Sequence, residues 1–313
     1  MRKFLLLLLL LFCCTPLFSQ DTAFKYKGMT INLDEVVVKA KRIGFDVAGF
    51  IKRVEEDTTF YRAFKNLRLV GFTADNDIRV TDKKGGKTIA SLKSHTRQIM
   101  TGNCRKMEVI DEKTTGNFYT KKGDYNYYTA ELYANLFFTH GTVCGEDGGS
   151  SKGSSGKGSL ARHKNQLKQL IFNPGKPITG VPIVGNKVAI FDRDLMKYYD
   201  FSVTSEAYTG TDCYVFSAIM RKNLNSIDRA EIVINELITY FDKETMEIVG
   251  RKYSLSYKTM IFDFNVRMNV QMTKKGDLLL PALITYAGTW NVPFKKRETA
   301  DFTAKFTEFK SEQ

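Results

Sequence analysis

The sequence predicts an α+β, β-rich fold in which one large antiparallel sheet curves around one or two helices. Two observations carry that expectation. In IFDFNVRMNVQM the residues Phe262, Phe264, Val266, Met268, Val270 and Met272 alternate without fault with Asp263, Asn265, Arg267, Asn269 and Gln271. That period of two gives a strand with one dry face and one wet face. Upstream, Tyr253, Leu255 and Tyr257 alternate in the same way with Lys252, Ser254, Ser256 and Lys258. Turns between these strands come from Asp242-Lys243-Glu244-Thr245 and Lys274-Lys275-Gly276-Asp277.

The chain opens MRKFLLLLLLLFCCTPLFSQ, with Arg2 and Lys3 before an apolar core and a small residue after it. This is the layout of a secretory signal over residues 1–19, cleaved after Ser19. The run Phe4 to Phe12 is too short for a membrane span, which needs about 20 residues. Lipid attachment at Cys14 is the alternative, and Leu11-Phe12-Cys13 fits a lipobox poorly. Residues 20–44 read as an N-terminal strand and linker, with INLDEVVVKAKR (Ile31 to Arg42) as a β-strand that has a basic exit. Residues 45–313 read as one domain.

FDVAGFIKRVEEDTTFYRAFKNL reads as helix in two pieces. Val47, Ile51 and Val54 lie on one stripe, and Asp57 or Thr58 caps a second turn that presents Tyr61, Phe64 and Leu67. RLVGFTADNDIRVTD and KTIASLKSHTRQIM are strands on either side of the turn-prone KKGG. DYNYYTAELYANLFFTHGTVC is long, aromatic and β-prone. SLARHKNQLKQLIF is helical: Ser159 caps it, Leu160, Leu167, Leu170 and Ile171 share a face, and Pro174 follows. LLLPALITYAGTW (Leu278 to Trp290) is short for a membrane helix and contains Pro281, so it reads as a buried strand.

Charge and cysteines narrow the functional classes. Loss of Arg2 and Lys3 with the leader lowers the formal charge by two, from +13 to +11. In an exported chain such charge faces lipid headgroups or an anionic envelope surface rather than nucleic acid. A plain solvated basic surface is the simpler reading. Cys104, Cys144 and Cys213 outlast the leader and allow one disulfide and one free thiol, with the pairing open.

The motifs that could carry chemistry fail on their flanks. From Gly145 to Ser159, eleven of fifteen residues are Gly or Ser. Gly149 to Gly153 fits G-x-S-x-G, but no strand enters the turn and nothing would hold Ser151 rigid as a nucleophile. Gly156 to Ala161 fits G-x-G-x-x-A without the preceding parallel strand that a dinucleotide fold requires. At Lys87-Thr88 a phosphate loop is excluded, because Thr81 stands where its first glycine belongs. What survives is a flexible approach to a helix start where Lys157, Arg162 and Lys164 could contact an anion. His95, His140 and His163 lack metal-ligand spacing, and Asp192 and Asp194 read as turn formers. No cofactor or metal is expected.

Two resemblances extend this reading. LDEVVVKAKR resembles the closing strand of the carboxypeptidase-type regulatory domains of Bacteroidota envelope proteins. From Phe45 to Phe309 the chain is similar in layout to envelope proteins of unknown function from that phylum, and to the LolA/LolB lipoprotein-carrier fold. YTAELYANLFF, ITYFDKETMEIVGRKYSLSY, IFDFNVRMNVQM and GDLLLPALITYAGTW carry the likeness. In these, a strand ends in an acidic turn (Asp242 to Thr245) and a later strand opens on Gly276 to Pro281. The resemblance implies a half-open antiparallel barrel, closed by helices, that holds lipid chains without catalysis. The basic Gly/Ser insertion and the poor lipobox depart from the LolB-type receptors.

The expected function is a non-enzymatic, exported protein of the periplasm or outer-membrane periphery. Its partners would be lipid acyl chains, a lipoprotein or an anionic envelope surface. The stripe Phe262, Phe264, Val266, Met268, Val270 and Met272 would be the apolar ligand face if the sheet is incompletely filled. The alternatives are an interaction module with a packed core and, further off, an envelope hydrolase.

Overall fold

The computed structural model describes residues 22–82, 86–145, 172–177, 186–258, 263–291 and 297–310. Strands β1 (Ala23–Tyr26) and β2 (Met29–Leu33) lead into helices α1 (Glu35–Arg42), α2 (Val47–Glu56) and α3 (Thr59–Asn66). Then follow β3 (Gly71–Thr81), β4 (Thr88–Thr101), β5 (Cys104–Gly116), α4 (Tyr128–Phe137) and β6 (Thr142–Cys144). The second half holds α5 (Arg193–Met196), β7 (Tyr199–Tyr208), β8 (Thr211–Met220), α6 (Ser226–Ala230), β9 (Ile234–Asp242), β10 (Ile248–Lys258), β11 (Asp263–Lys275), β12 (Leu278–Asn291) and β13 (Glu298–Lys310).

All thirteen strands belong to one curved, open sheet in the order β1-β2-β7-β8-β9-β10-β11-β12-β13-β3-β4-β5-β6. Every pairing is antiparallel except β2 on β7. This is the β-rich α+β class that the alternating strands predict. Burial follows the alternation: Phe264, Val266, Met268 and Val270 are buried, and Asn265 and Arg267 are exposed. On β10, Tyr253 and Leu255 are buried as expected. The acidic turn also forms, because Asp242 Oδ1 accepts from the amides of Glu244 and Thr245, both at 2.8 Å.

Helices α1 to α3 form a strap across the dry face. α1 packs on β7 through Val37 and Val38. On α2, Phe50 meets Tyr214 of β8 and Phe241 of β9, with ring centroids 6.0 and 5.1 Å away. α3 sets Phe60 against Tyr253 of β10 and packs on β12. The chain leaves this strap to enter β3 on the far side of β13. Val47, Ile51 and Val54 are buried as their spacing predicts. Asp57 supplies the cap of α3, accepting from Thr59 N at 2.9 Å, while the side chain of Thr58 makes no capping bond.

Two segments expected as strand are helical. Asp34 ends β2 and caps α1: its Oδ1 accepts from Val37 N at 2.7 Å and its Oδ2 from Ser205 N of β7 at 2.6 Å. One carboxylate thus turns VVV, a β-prone run, into a helix and fastens it to the sheet. The stop is equally local. Gly44, at φ +111°, follows the last turn, and its amide donates to Lys41 O at 3.2 Å. The second correction is α4, within DYNYYTAELYANLFF. It is buried on nearly all sides, including Tyr128, Thr129, Ala130, Leu132, Tyr133, Ala134 and Phe137, so it shows no polar face for periodicity to reveal. The helix expected from Ser159 lies outside the described residues.

On the outer face, the Tyr208 ring stacks on Tyr240 with centroids 4.0 Å apart, and Lys252 Nζ lies 5.3 and 5.0 Å from the two rings. Tyr208 crosses directly over Gly250, where an added Cβ would come within 2.4 Å of the ring. Gly250→Ala should therefore lower the urea midpoint by the equivalent of about 1–3 kcal/mol, the usual range for overpacking. An unchanged midpoint would mean that the ring moves aside freely.

Candidate functional site

The predicted ligand stripe lies within the core. Phe264 stacks on Trp290 with centroids 5.2 Å apart, and Met268 Sδ accepts from Tyr253 OH at 3.1 Å. Val266 and Val270 have no exposed surface, and Met272 is half-buried beside the register shift at Gln271. Phe262, the anion contacts Lys157, Arg162 and Lys164, and Ser151 lie outside the described residues. So do the leader, with Cys14, and most of the Gly/Ser run.

The strap touches this dry face through rings and through polar anchors: Asp34 on Ser205 N, Asn66 Nδ2 on Leu279 O at 2.8 Å, and a buried ion pair at the joint between α2 and α3. Arg251 projects from the dry face of β10. Its Nη2 reaches Asp57 Oδ2 at 3.4 Å, and each side chain is only 6% exposed. Nε donates to Thr239 Oγ1 at 2.9 Å, and the guanidinium carbon lies 4.2 Å from the centroid of the Phe60 ring. Burial pulls the Arg251 pKa down and the Asp57 charge opposes it. The pair pins the middle of the strap to the sheet. Sequence reasoning treated Asp57 only as a cap and passed over Arg251. The signal was available, because the alternation of Tyr253 and Leu255, extended two residues back, puts Arg251 on the dry face.

A second buried polar cluster anchors α4. Glu298 of β13 accepts from Tyr128 N at 2.7 Å and Thr129 N at 2.8 Å, a helix cap supplied from across the sheet. Tyr133 OH donates to Asn76 Oδ1 at 2.5 Å, and Asn76 Nδ2 donates to Ser94 Oγ and Thr96 Oγ1 at 3.1 and 3.2 Å. Burial pushes the Tyr133 hydroxyl far above its usual pKa, so it stays a fixed donor. Gln98 donates to Leu67 O and Val70 O at 2.7 and 2.8 Å, tying β4 to the exit of the strap. Thr139 links Gln98 to Arg105. Such a network fixes geometry rather than moving protons.

The remaining candidates are dispersed. His95 contacts Asp75 at 2.7 Å on the outer face, His140 is exposed, and His163 lies outside the described residues. Asp192 is a turn former as expected, accepting from Asp194 N at 2.9 Å at the start of α5. Cys104 and Cys144 form the disulfide, leaving Cys213 as the buried free thiol. Among the concavities of the described residues are one at the strand ends and one over the helical strap. One, of about 270 Å³, lies at the ends of β3, β4 and β13 beside Phe72, Arg97 and Lys310. The other, of about 360 Å³, lies over the α2–α3 joint beside Lys52, Arg53 and Asp57. Neither is lined by a β11 side chain. No described helix is long and apolar enough to cross a membrane.

No family model and no curated protein matches the chain. Among solved structures, the chain is similar to a domain described as an outer membrane lipoprotein-sorting protein from Vibrio parahaemolyticus. The identity is 8% and the TM-score 0.25, over 80% of this chain and 89% of that one. It is also similar to a DUF1329 family protein from Desulfovibrio piger, at 11% identity and TM-score 0.24, over 82% of this chain and 94% of that one. The fold assignment rests on the sheet itself.

Proposed function

We propose that the chain is an exported, non-enzymatic envelope protein that holds an acyl chain or lipidated partner between the helical strap and the dry face of the sheet. One observation carries the reading: α1, α2 and α3 lie across an aromatic-rich dry face, with a buried ion pair at the joint between α2 and α3. Ring contacts such as Phe50 on Phe241 and Phe60 on Tyr253 are non-directional. Acyl methylenes can replace them at little cost, because both are apolar burial. The lipoprotein-carrier class that the sequence resembles supports the same reading.

A second reading has its own support. Trp290, Tyr133, Tyr253, Phe302 and Phe241 are almost wholly buried, as in a packed interaction module whose working surface is elsewhere. Native mass spectrometry of protein purified from its own envelope separates the two. A carrier should arrive with acyl-bearing mass and take up labelled fatty acid. A chain that arrives bare and takes up none is the packed module.

A further inference from the structure

The groove at the ends of β3, β4 and β13 combines a break in the strand ladder with two cations that have no counter-ion. Pairing of β13 with β3 steps from Thr307 opposite Thr73 to Lys310 opposite Gly71, so Glu308 and Phe309 stand against Phe72 alone. This is a bulge, and Glu308 takes the left-handed conformation at φ +52°, strained for a residue other than glycine. The space of about 270 Å³ beside it is lined by the apolar Phe72, Ile99 and Met100 and by the charged Arg97, Glu308 and Lys310. Glu108, the cross-strand neighbour of Arg97 on β5, holds Lys106 at 3.7 Å instead. Among the described residues neither Arg97 nor Lys310 makes an ion pair. Two positive charges against the one carboxylate of Glu308 leave the lining at a net +1, which suits a monoanion better than a phosphate dianion. Phe72 also leads inward: its ring lies 5.4 Å from that of Phe306, which lies 5.6 Å from Phe137 of α4.

We propose that this groove is a carboxylate site, at which the head of a fatty acid is held by the Arg97 guanidinium and the Lys310 ammonium while its first methylenes lie on Phe72, Ile99 and Met100. A guanidinium presents two parallel N–H groups that match a carboxylate, and Arg97 is exposed and free to turn them to it. The space is smaller than a pocket that encloses a drug-sized ligand, so it takes the head and not the whole tail. The rest of the tail follows Phe72 towards Phe306 and the dry face. That last step rests on the carrier reading above; the carboxylate site does not.

Calorimetry of octanoate, octanol and dodecanoate on the full mature chain tests the site. Octanoate should bind about tenfold tighter than octanol, the ratio expected from one added charge-assisted hydrogen bond. Arg97→Gln should abolish that preference and leave octanol unchanged, and Arg97→Lys, which keeps the charge and loses the fork, should restore part of it. Lys310→Gln should reduce it. Both side chains are exposed, so these variants should fold as the parent does. Lys305→Gln removes an equal charge from β13 outside the lining and should change nothing. The site is overturned if octanoate fails to bind or binds no tighter than octanol, or if Lys305→Gln weakens it as much as Arg97→Gln. Dodecanoate tests the carrier separately. With a buried path for its four added methylenes it should bind more than about tenfold tighter than octanoate. Equal binding of the two acids, with the Arg97 dependence kept, leaves the carboxylate site standing and counts against the carrier. A gain from the longer tail with no preference for the acid over the alcohol leaves the carrier standing and removes the site.

Discussion

Asp57→Ala is expected to lower the unfolding free energy by about 3–5 kcal/mol, the usual result of removing one partner from a buried ion pair. Both side chains are 6% exposed, so the charge left on Arg251 has little water to replace its carboxylate. The α3 cap is lost as well, which alone costs about 1 kcal/mol. Asp57→Asn separates the two contributions, since it keeps a capping oxygen and loses only the charge. The double variant Asp57→Ala with Arg251→Met removes the orphaned cation and should recover much of the loss. Chemical denaturation of the four proteins checks this. A double variant no more stable than Asp57→Ala would show that the damage is packing or capping, and that the strap is not pinned by charge.

How far the fold could be read in advance depended on whether the cause of an element is local. β11 was legible because each residue from Phe264 to Val270 states its own face, and the antiparallel neighbours repeat the statement. α2 was legible for the same reason at helical spacing. α1 was misread because Val36, Val37 and Val38 favour strand, and the residue that decides against it, Asp34, acts partly through Ser205, 171 positions away. α4 was out of reach for a deeper reason. Its cap, Glu298, is 170 residues from Tyr128, and its burial on all sides removes the amphipathic signature. At the candidate site the same division holds. The apolar stripe was visible as a period, whereas the pairing of Arg251 with Asp57 joins positions 194 residues apart. Only the phase of Arg251 on β10 was open to inspection, and a charge on a dry face is the clearest local sign that a distant partner exists.

Cys104→Ser should cost a comparable amount by a different route. The bridge to Cys144 closes a sequence separation of 40 residues, for which unfolded-chain entropy gives about 4 kcal/mol. β6 is the outermost strand and pairs with β5 only from Cys104 to Lys106, so few contacts would hold it without the bond. α4, within the same closed segment, is tied independently by Glu298 and by the hydroxyl of Tyr133. Loss of the disulfide should therefore act at two levels. Amides of Thr142 to Cys144 should exchange at near-unprotected rates under native conditions, and those of α4 should retain protection up to the lowered global limit. Reductant added to the unsubstituted protein should reproduce the urea midpoint of the variant. If the midpoint stays unchanged while β6 exchanges freely, the bond secures only the edge. The stability of the sheet would then come from the strap and from the polar network beneath α4.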